Sequence, residues 1–201
     1  MRQRILLSFL IFLLLVPPTV GTPQTSASAQ LGFQASTQAP RWTDSYRKEI
    51  LTKARDGDAG AQFWLGAAYG EGWFGNTDFP VALKWLRRSA ARGNPDAQVS
   101  LGQMYEHGRG VKQNYKLAAK WYRMAAGHVP DFGGAGQGRN DLGLLYLDGL
   151  GVSKDCVRAY MWFSLANTET NLSEARAQLT PEQILTAERM VEEWKSHHPE
   201  H

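Results

Sequence analysis

Cysteine is almost absent from this chain of 201 residues, which contains only Cys156. A single thiol cannot form an intrachain disulfide, so the fold must be held together by packing. Cys156 lies at the predicted start of a helix. One interpretation is a buried or half-buried structural thiol, and the other is pairing with a second molecule.

Long apolar runs are also scarce, since the chain has only one, at residues 5–16, just after two arginines. A basic start followed by about a dozen apolar residues is typical of a secretory signal and is short for a membrane span. We therefore expect a signal peptide over residues 1–21, with cleavage after Gly21 or as late as Ala29. An uncleaved membrane anchor is the alternative. The expected location is periplasmic or secreted.

A large charge of one sign is missing as well. The chain carries 22 Lys and Arg against 19 Asp and Glu, a net charge of +3. Arg2 and Arg4 belong to the predicted signal peptide, so the mature chain keeps 20 basic and 19 acidic residues, a net charge of +1. This balance gives no reason to predict nucleic-acid binding.

Motifs for catalysis are incomplete or absent. The chain contains neither Gly-x-Ser-x-Gly nor His-Glu-x-x-His. The run from Ser45 to Lys48 matches Ser-x-x-Lys, but the Ser-Asp-Asn and Lys-Thr-Gly motifs of penicillin-recognising enzymes do not occur. Ser45, next to Asp44, is more simply interpreted as the residue that caps a helix. We predict no catalytic residue.

Candidate cofactor and metal sites are equally weak. The glycine-rich residues 127–138 follow no predicted strand and include no lysine, so they predict a loop and not a phosphate-binding turn. His197, His198 and His201 crowd the C-terminus, where ligands lack supporting side chains. We predict no cofactor and no metal site.

What the chain does contain is a frame of residues that recurs about three times. The clearest copy runs from Ala97 to Ala126, and shifting it back by 36 residues or forward by 41 reproduces its main positions. Such a period indicates a repeat architecture. The recurring positions are Leu65-Gly66, Tyr69, Gly72, Asp78, Ala82 and Trp85; Leu101-Gly102, Tyr105, Gly108, Asn114, Ala118 and Trp121; and Leu142-Gly143, Tyr146, Gly149, Asp155, Ala159 and Trp162.

Each copy predicts a helix, a glycine turn and a second helix. Leu101 and Tyr105 belong to the apolar stripe of the first helix. Gly108 and Gly110 follow at the distance where a helix ends and the backbone turns through positive φ. Gly102 lies inside the first helix, where glycine costs about 1 kcal/mol relative to alanine. It therefore predicts a close approach of the next helix.

This frame resembles the motif of the Sel1-like repeats, which are relatives of the tetratricopeptide repeats. Residues 97–126 meet the pattern Ala-x-x-x-Leu-Gly-x-x-Tyr, Gly-x-Gly-Val, Asp, Ala and Trp-Tyr-x-x-Ala-Ala nearly in full, and the resemblance covers roughly residues 45–196. The tryptophan that tetratricopeptide units carry three residues before Leu-Gly is replaced by Gln62, Gln98 and Arg139. The resemblance implies an all-α fold, an α/α solenoid of about three helix-turn-helix repeats with N- and C-terminal capping helices.

The predicted domain organisation follows the repeats. Residues 22–43 are rich in Gln, Ser, Thr, Ala and Pro, a composition that buries too little surface to order itself, so we expect a disordered linker. Thr180, Pro181 and Gln183 predict a helix that begins with a capping box. The predicted repeat domain spans 44–196, with an N-terminal capping helix from Ser45 to Asp56, repeats at about 59–94, 95–126 and 138–167, a C-terminal cap at 168–196 and a tail at 197–201.

The turn of the first repeat departs from the family pattern. Trp73 and Phe74 lie between Gly72 and Gly75, where Gly-x-Gly-Val is expected. The two rings either tuck under the next helix or project as an apolar contact, and exposed aromatic rings mark partner sites.

Stacked helical hairpins supply a groove lined by the first helix of each unit. By analogy with tetratricopeptide units, this groove suits a peptide or a helix of another protein. The chain is therefore predicted to be a non-enzymatic protein-interaction module, and exported members of the family imply regulation or scaffolding of an envelope complex. The alternative is a cell-wall or β-lactam hydrolase, since some cysteine-rich relatives are described as β-lactamase-like. The predicted partner-binding residues are Phe63, Trp73, Phe74, Val99, Gln103, Glu106, Asn140 and Leu144.

Overall fold

The computed structural model describes residues 43–129 and 133–199. These residues belong to one compact unit, Pro40–His201. The predicted signal peptide, nearly all of the predicted linker and the last two residues of the predicted tail lie outside the described residues.

Within the described ranges the chain forms nine α-helices and no strand. The all-α prediction is therefore confirmed. The helices are α1 (Asp44–Arg55), α2 (Ala59–Gly70), α3 (Phe79–Ala91), α4 (Pro95–His107), α5 (Tyr115–Ala126), α6 (Ala135–Asp148), α7 (Cys156–Leu165), α8 (Glu169–Arg176) and α9 (Pro181–His197).

Three helical hairpins, α2–α3, α4–α5 and α6–α7, form the repeats. Helix α1 packs on α2 at one end of the stack, and α8 and α9 both pack on α7 at the other. The solenoid with capping helices at both ends is thus confirmed. Cys156 is the first residue of α7 and is half-buried.

One backbone hydrogen bond closes every hairpin at the same place. The amide of the Asp or Asn that precedes the second helix donates to the carbonyl of the motif tyrosine: Asp78 to Tyr69, Asn114 to Tyr105 and Asp155 to Tyr146, each at 2.8 Å. The side chain of the same Asp or Asn caps the helix that follows. The fixed spacing between the tyrosine and the Asp or Asn is therefore a requirement of the turn.

The glycines behave as their positions predict. Gly108 and Gly110 have φ values of 69° and 67°, which residues other than glycine rarely adopt. A β-carbon added at Gly102 would overlap the ring of Tyr122. The close approach that the glycine inside the helix predicted is confirmed.

The position three residues before Leu-Gly joins consecutive units. The Gln62 side chain donates to the carbonyl of Ala54 at 2.9 Å, and Gln98 donates to Ala90 at 3.3 Å. Both carbonyls lie at the end of the preceding helix, where helical backbone lacks internal partners. A polar residue at this position therefore holds each hairpin to the helix that precedes it.

Arg139 occupies this position in the third repeat and makes more contacts. All three nitrogens of its guanidinium donate to backbone carbonyls. Nε donates to Ala126 at 3.1 Å, Nη2 to His128 at 2.9 Å and Nη1 to Leu165 at 3.2 Å. Its Cζ also lies 4.8 Å from the ring centre of Trp194 on α9. Arg139 is only 5% exposed, so its charge is balanced by helix C-terminal carbonyls and an aromatic face.

Two local predictions are wrong. Ser45 does not cap α1, because Thr43 is extended and its Oγ1 accepts the Tyr46 amide at 3.2 Å, which leaves Ser45 inside the helix. The predicted loop over residues 127–138 is shorter, because α6 already begins at Ala135.

Glycines let the first turn of α6 pack tightly. A β-carbon at Gly134 would lie 2.8 Å from the Pro95 carbonyl oxygen, and one at Gly138 would lie 2.7 Å from the Ala125 β-carbon. These two glycines therefore serve close packing against α4 and α5.

Candidate functional site

The contacts between hairpins define an inner and an outer surface. The first helices of consecutive units, α2 with α4 and α4 with α6, contact each other directly. The second helices, α3, α5 and α7, make at most isolated contacts with one another in the described part of the chain. Because successive units lie closer together on the side of their first helices, the stack is concave on that side. We call α2, α4 and α6 the inner helices and the surface along them the groove.

The predicted groove residues differ in accessibility. Phe63, Gln103, Glu106, Asn140 and Leu144 are half-buried on the inner helices. Their side chains line a surface that is apolar at α2 and polar where α4 meets α6.

Val99 occupies a different environment. It is 6% exposed and belongs to the core between the second and third units. Its side chain therefore contributes to packing and presents almost no surface to a partner.

Polar side chains from three helices meet between α4 and α6. The Tyr122 hydroxyl of α5 donates to Oε2 of Glu106 at 2.6 Å. On α6, Gln137 Nε2 and Asn140 Nδ2 donate to Oδ1 of Asp141 at 2.6 and 3.3 Å. The Gln103 side chain also hydrogen-bonds to Asp141. We call this group the polar cluster: Gln103, Glu106, Tyr122, Gln137, Asn140 and Asp141.

Asp141 is the most unusual member of the polar cluster, with only 9% of its surface exposed. Burial, and next the negative charge of Glu106, raise the pKa of Asp141 to about 7. Hydrogen bonds from Gln137, Asn140 and Gln103 oppose this rise. Burial also raises the pKa of Tyr122 well above its ordinary value, so its hydroxyl keeps its proton.

A second group of side chains, all aromatic, lies at the α2 end of the groove. The ring centres of Phe63 and Trp64 are 5.2 Å apart, and those of Trp64 and Trp73 are 6.4 Å apart. Trp64 is 38% exposed, which is high for so large an apolar side chain. We call Phe63, Trp64 and Trp73 the aromatic row.

Phe74 packs inward. Its ring makes an edge contact with Tyr69 at 5.1 Å, and the Arg47 guanidinium of α1 lies 4.2 Å from the ring centre. It also joins the core cluster that contains Ile50 and Leu65. Of the two aromatic residues in the turn, Phe74 thus holds the N-terminal cap, and Trp73 lies beside the exposed Trp64.

Residues 43–129 and 133–199 contain neither a metal-ligand group nor a helix suited to span a membrane. No three His, Cys, Asp or Glu side chains there are grouped as metal ligands. None of the helices in these ranges combines the length and the apolar character that crossing a membrane requires.

Sequence reasoning missed four residues of these groups. Asp141, Tyr122 and Gln137 were not predicted because they meet only through the rotation of α6 against α4 and α5. Trp64 was not predicted either. One available clue was the residue before Leu-Gly, which is Trp64, Ser100 and Asp141 in successive units. An aspartate at a position shared with tryptophan is unexpected if all three face the same surroundings.

Comparison with known proteins agrees with this architecture. The model of the Sel1 repeat matches residues 59–94, 95–127 and 137–170. A solved structure of a Sel1 repeat protein from Oxalobacter formigenes is 32% identical, with a TM-score of 0.52 over 74% of this chain and 98% of that one. No curated protein matches the chain.

A second solved structure is a protective antigen present in uropathogenic Escherichia coli strains, which displays an SLR fold. It is 36% identical, with a TM-score of 0.55 over 61% of this chain. The match spans only 25% of the antigen's own length. Sel1 repeat proteins generally mediate protein–protein interaction. With three matched repeats that together cover half of its length, the chain belongs to the Sel1 repeat family.

Proposed function

We propose that this protein is a non-enzymatic interaction module that docks a segment of another protein in the groove of α2, α4 and α6. The observation that carries the proposal is the contact between successive inner helices, which places half-buried side chains of three units along one surface. A peptide or helix laid along this surface would contact several units at once.

The aromatic row supplies the apolar anchor in this proposal. Large aromatic side chains in partly desolvated positions contribute much of the energy at protein interfaces. Trp64 and Trp73 are therefore the anchors that we test, and Phe74 is left in place because it packs against α1 and Tyr69.

We further propose that the protein is exported and that its partner belongs to a regulatory or scaffolding complex of the cell envelope. The support is the basic and apolar N-terminal sequence over residues 1–21. N-terminal sequencing of the protein recovered from the periplasm would begin after Gly21 or Ala29. A chain recovered only in membranes, with its first residue at Met1, contradicts cleavage.

Site-specific photo-crosslinking in cells tests the docking surface. A photoreactive amino acid replaces Gln103 or Leu144 in the groove, and Lys120, exposed on α5, is the matched control. We expect discrete covalent adducts from the groove positions and none from Lys120. Adducts from Lys120 alone would contradict the proposal.

The anchors are tested in the same cells. Trp64→Ala and Trp73→Ala should each weaken the Gln103 adduct while leaving the melting temperature nearly unchanged. An undiminished adduct in the double variant would remove the aromatic row from the proposal.

A further inference from the structure

Two carboxylates lie together in the groove without a cationic partner in the described structure. The ion pairs among the described residues join Glu49 to Lys53, Asp155 to Arg158 and Glu192 to Lys195. Neither Glu106 nor Asp141 takes part in any of them. The groups that do bond these two carboxylates are a phenol and side-chain amides.

This pair of carboxylates lacks a compensating positive charge. A carboxylate removed from water is costly unless a positive charge compensates it, and a second carboxylate nearby adds repulsion. The raised pKa of Asp141, caused by burial and then by Glu106, is the expected consequence. A cation held between the two carboxylates would remove both penalties.

The position of the polar cluster indicates where the cation comes from. Gln103, Glu106 and Asn140 are half-buried on the groove surface, and Gln137, which bonds Asp141, is exposed. The side chains that bond Asp141 thus themselves reach the groove surface. The cluster therefore opens toward the segment that the groove is proposed to dock.

We propose that Glu106 and Asp141 receive one basic side chain, an arginine or a lysine, from the docked partner segment. This rests on the proposed function and adds the chemistry of the partner. Charge complementarity favours the basic group, because α2, α4 and α6 place no basic residue in the polar cluster. The carbonyl oxygens of Gln103 and Gln137 supply further acceptors, which suits the several donors of a guanidinium.

The neighbouring surface defines the rest of the segment. Leu144 follows the polar cluster on α6, and Phe63 begins the aromatic row on α2, both half-buried. The basic side chain should therefore stand between apolar residues of the partner. A nucleic acid does not fit, since its phosphates would face Glu106 and Asp141.

A defined probe makes this testable before the partner is known. N-acetyl-arginine amide is titrated into the isotope-labelled protein while the side-chain carboxyl resonances are followed by NMR. N-acetyl-citrulline amide, which has nearly the same shape without the charge, is the matched probe. We expect saturable shifts at Glu106 and Asp141 with the arginine compound and none with citrulline.

Two variants test whether the charge of each carboxylate is needed to bind the arginine probe. Asp141→Asn and Glu106→Gln keep the shape of each side chain, and Tyr122 can still donate to an amide oxygen at position 106. Each should weaken binding of the arginine probe about tenfold or more, because one of the two charges is gone. Glu193→Gln, on the exposed surface of α9, should leave binding unchanged.

The outcomes separate this inference from the proposed function. Equal binding of both probes, absence of saturable shifts in the folded protein, or unchanged binding by Asp141→Asn would overturn the inference. The groove could still be the docking surface if Gln103 gives its crosslinked adduct, with the adduct unaffected by Asp141→Asn and Glu106→Gln. Absence of an adduct from both groove positions, 103 and 144, in the protein that keeps Glu106 and Asp141 would instead overturn the proposed function.

Discussion

Replacing Asp141 by asparagine should stabilise the protein, by an amount that grows as the pH rises from about 4 to about 7. The folded protein raises the pKa of this carboxyl to about 7, against an ordinary value of 3.8. The folded state therefore holds a proton that the unfolded state has already lost. Stability supplied by this proton is present below pH 4 and is lost as the pH rises to 7.

The size of the effect follows from the two pKa values. One pKa unit corresponds to about 1.36 kcal/mol, so a difference of about 3 in pKa corresponds to about 4 kcal/mol of unfolding free energy. We take about 2 kcal/mol as the lower bound, because an asparagine amide offers one acceptor oxygen where the aspartate offers two to its three hydrogen-bond donors. For a domain of this size the range corresponds to a rise in melting temperature of about 5 to 15 °C.

Thermal unfolding at pH 5 and pH 8 measures this difference. At pH 8 Asp141→Asn should melt well above the original protein, whereas at pH 5 the gap should shrink to less than half. Asp148→Asn is the matched control, since Asp148 is exposed on the same helix. Its effect should be small and equal at both pH values.

Two results would contradict a buried Asp141 that keeps its proton up to neutral pH. One is an Asp141→Asn variant that is less stable than the original protein at pH 8. The other is a carbon-13 NMR titration in which the Asp141 carboxyl ionises near pH 4, as an exposed aspartate does.

The remaining predictions concern packing and capping. Gly102→Ala should destabilise the protein by about 1 to 3 kcal/mol because the new methyl group overlaps Tyr122, whereas Gly60→Ala should stabilise it by up to about 1 kcal/mol. Arg139→Met should cost about 3 kcal/mol because buried carbonyls lose their donors, and Arg139→Gln, which imitates the other repeats, should cost less. Thr180→Ala should cost about 1 kcal/mol by removing the capping box of α9. Denaturant unfolding measures all of these changes.

Matched controls distinguish these causes from general sensitivity. Arg176→Gln removes an exposed arginine at the end of α8. Thr186→Ala removes a hydroxyl that lies inside α9 and does not cap it. Both should change the free energy of unfolding by less than about 0.5 kcal/mol. If Arg176→Gln were as costly as Arg139→Met, the bonds of Arg139 to the carbonyls would not be the cause.

The repeated frame was sufficient to predict the fold because its residues act locally. The distance from Tyr105 to Asn114 is fixed by one backbone bond, and Gly102 is required by one neighbouring ring. The start of α6 was not predicted, because Gly134 and Gly138 look like loop residues in sequence and are instead required by close packing. Ser45 was misassigned as a cap because Thr43 meets the same requirement two residues earlier.

The groove was predicted in outline and its chemistry was not. Gln103, Glu106 and Asn140 were expected along the inner helices by analogy with tetratricopeptide units. Their meeting with Asp141 and Tyr122 depends on how α6 is rotated against its neighbours, which the spacing leaves undetermined. Arg139 was seen only as a departure from a pattern, although it joins α5, α7 and α9.

Hydroxyl-radical footprinting of the protein, with the partner recovered by crosslinking, tests directly whether the groove is the docking surface. If the partner lies in the groove, oxidation of Phe63, Trp64 and Leu144 should fall when it is bound. Met124, which is 41% exposed on the outer helix α5, should be oxidised equally with and without the partner. Protection of Met124 with unchanged oxidation of the three groove residues would contradict docking in the groove.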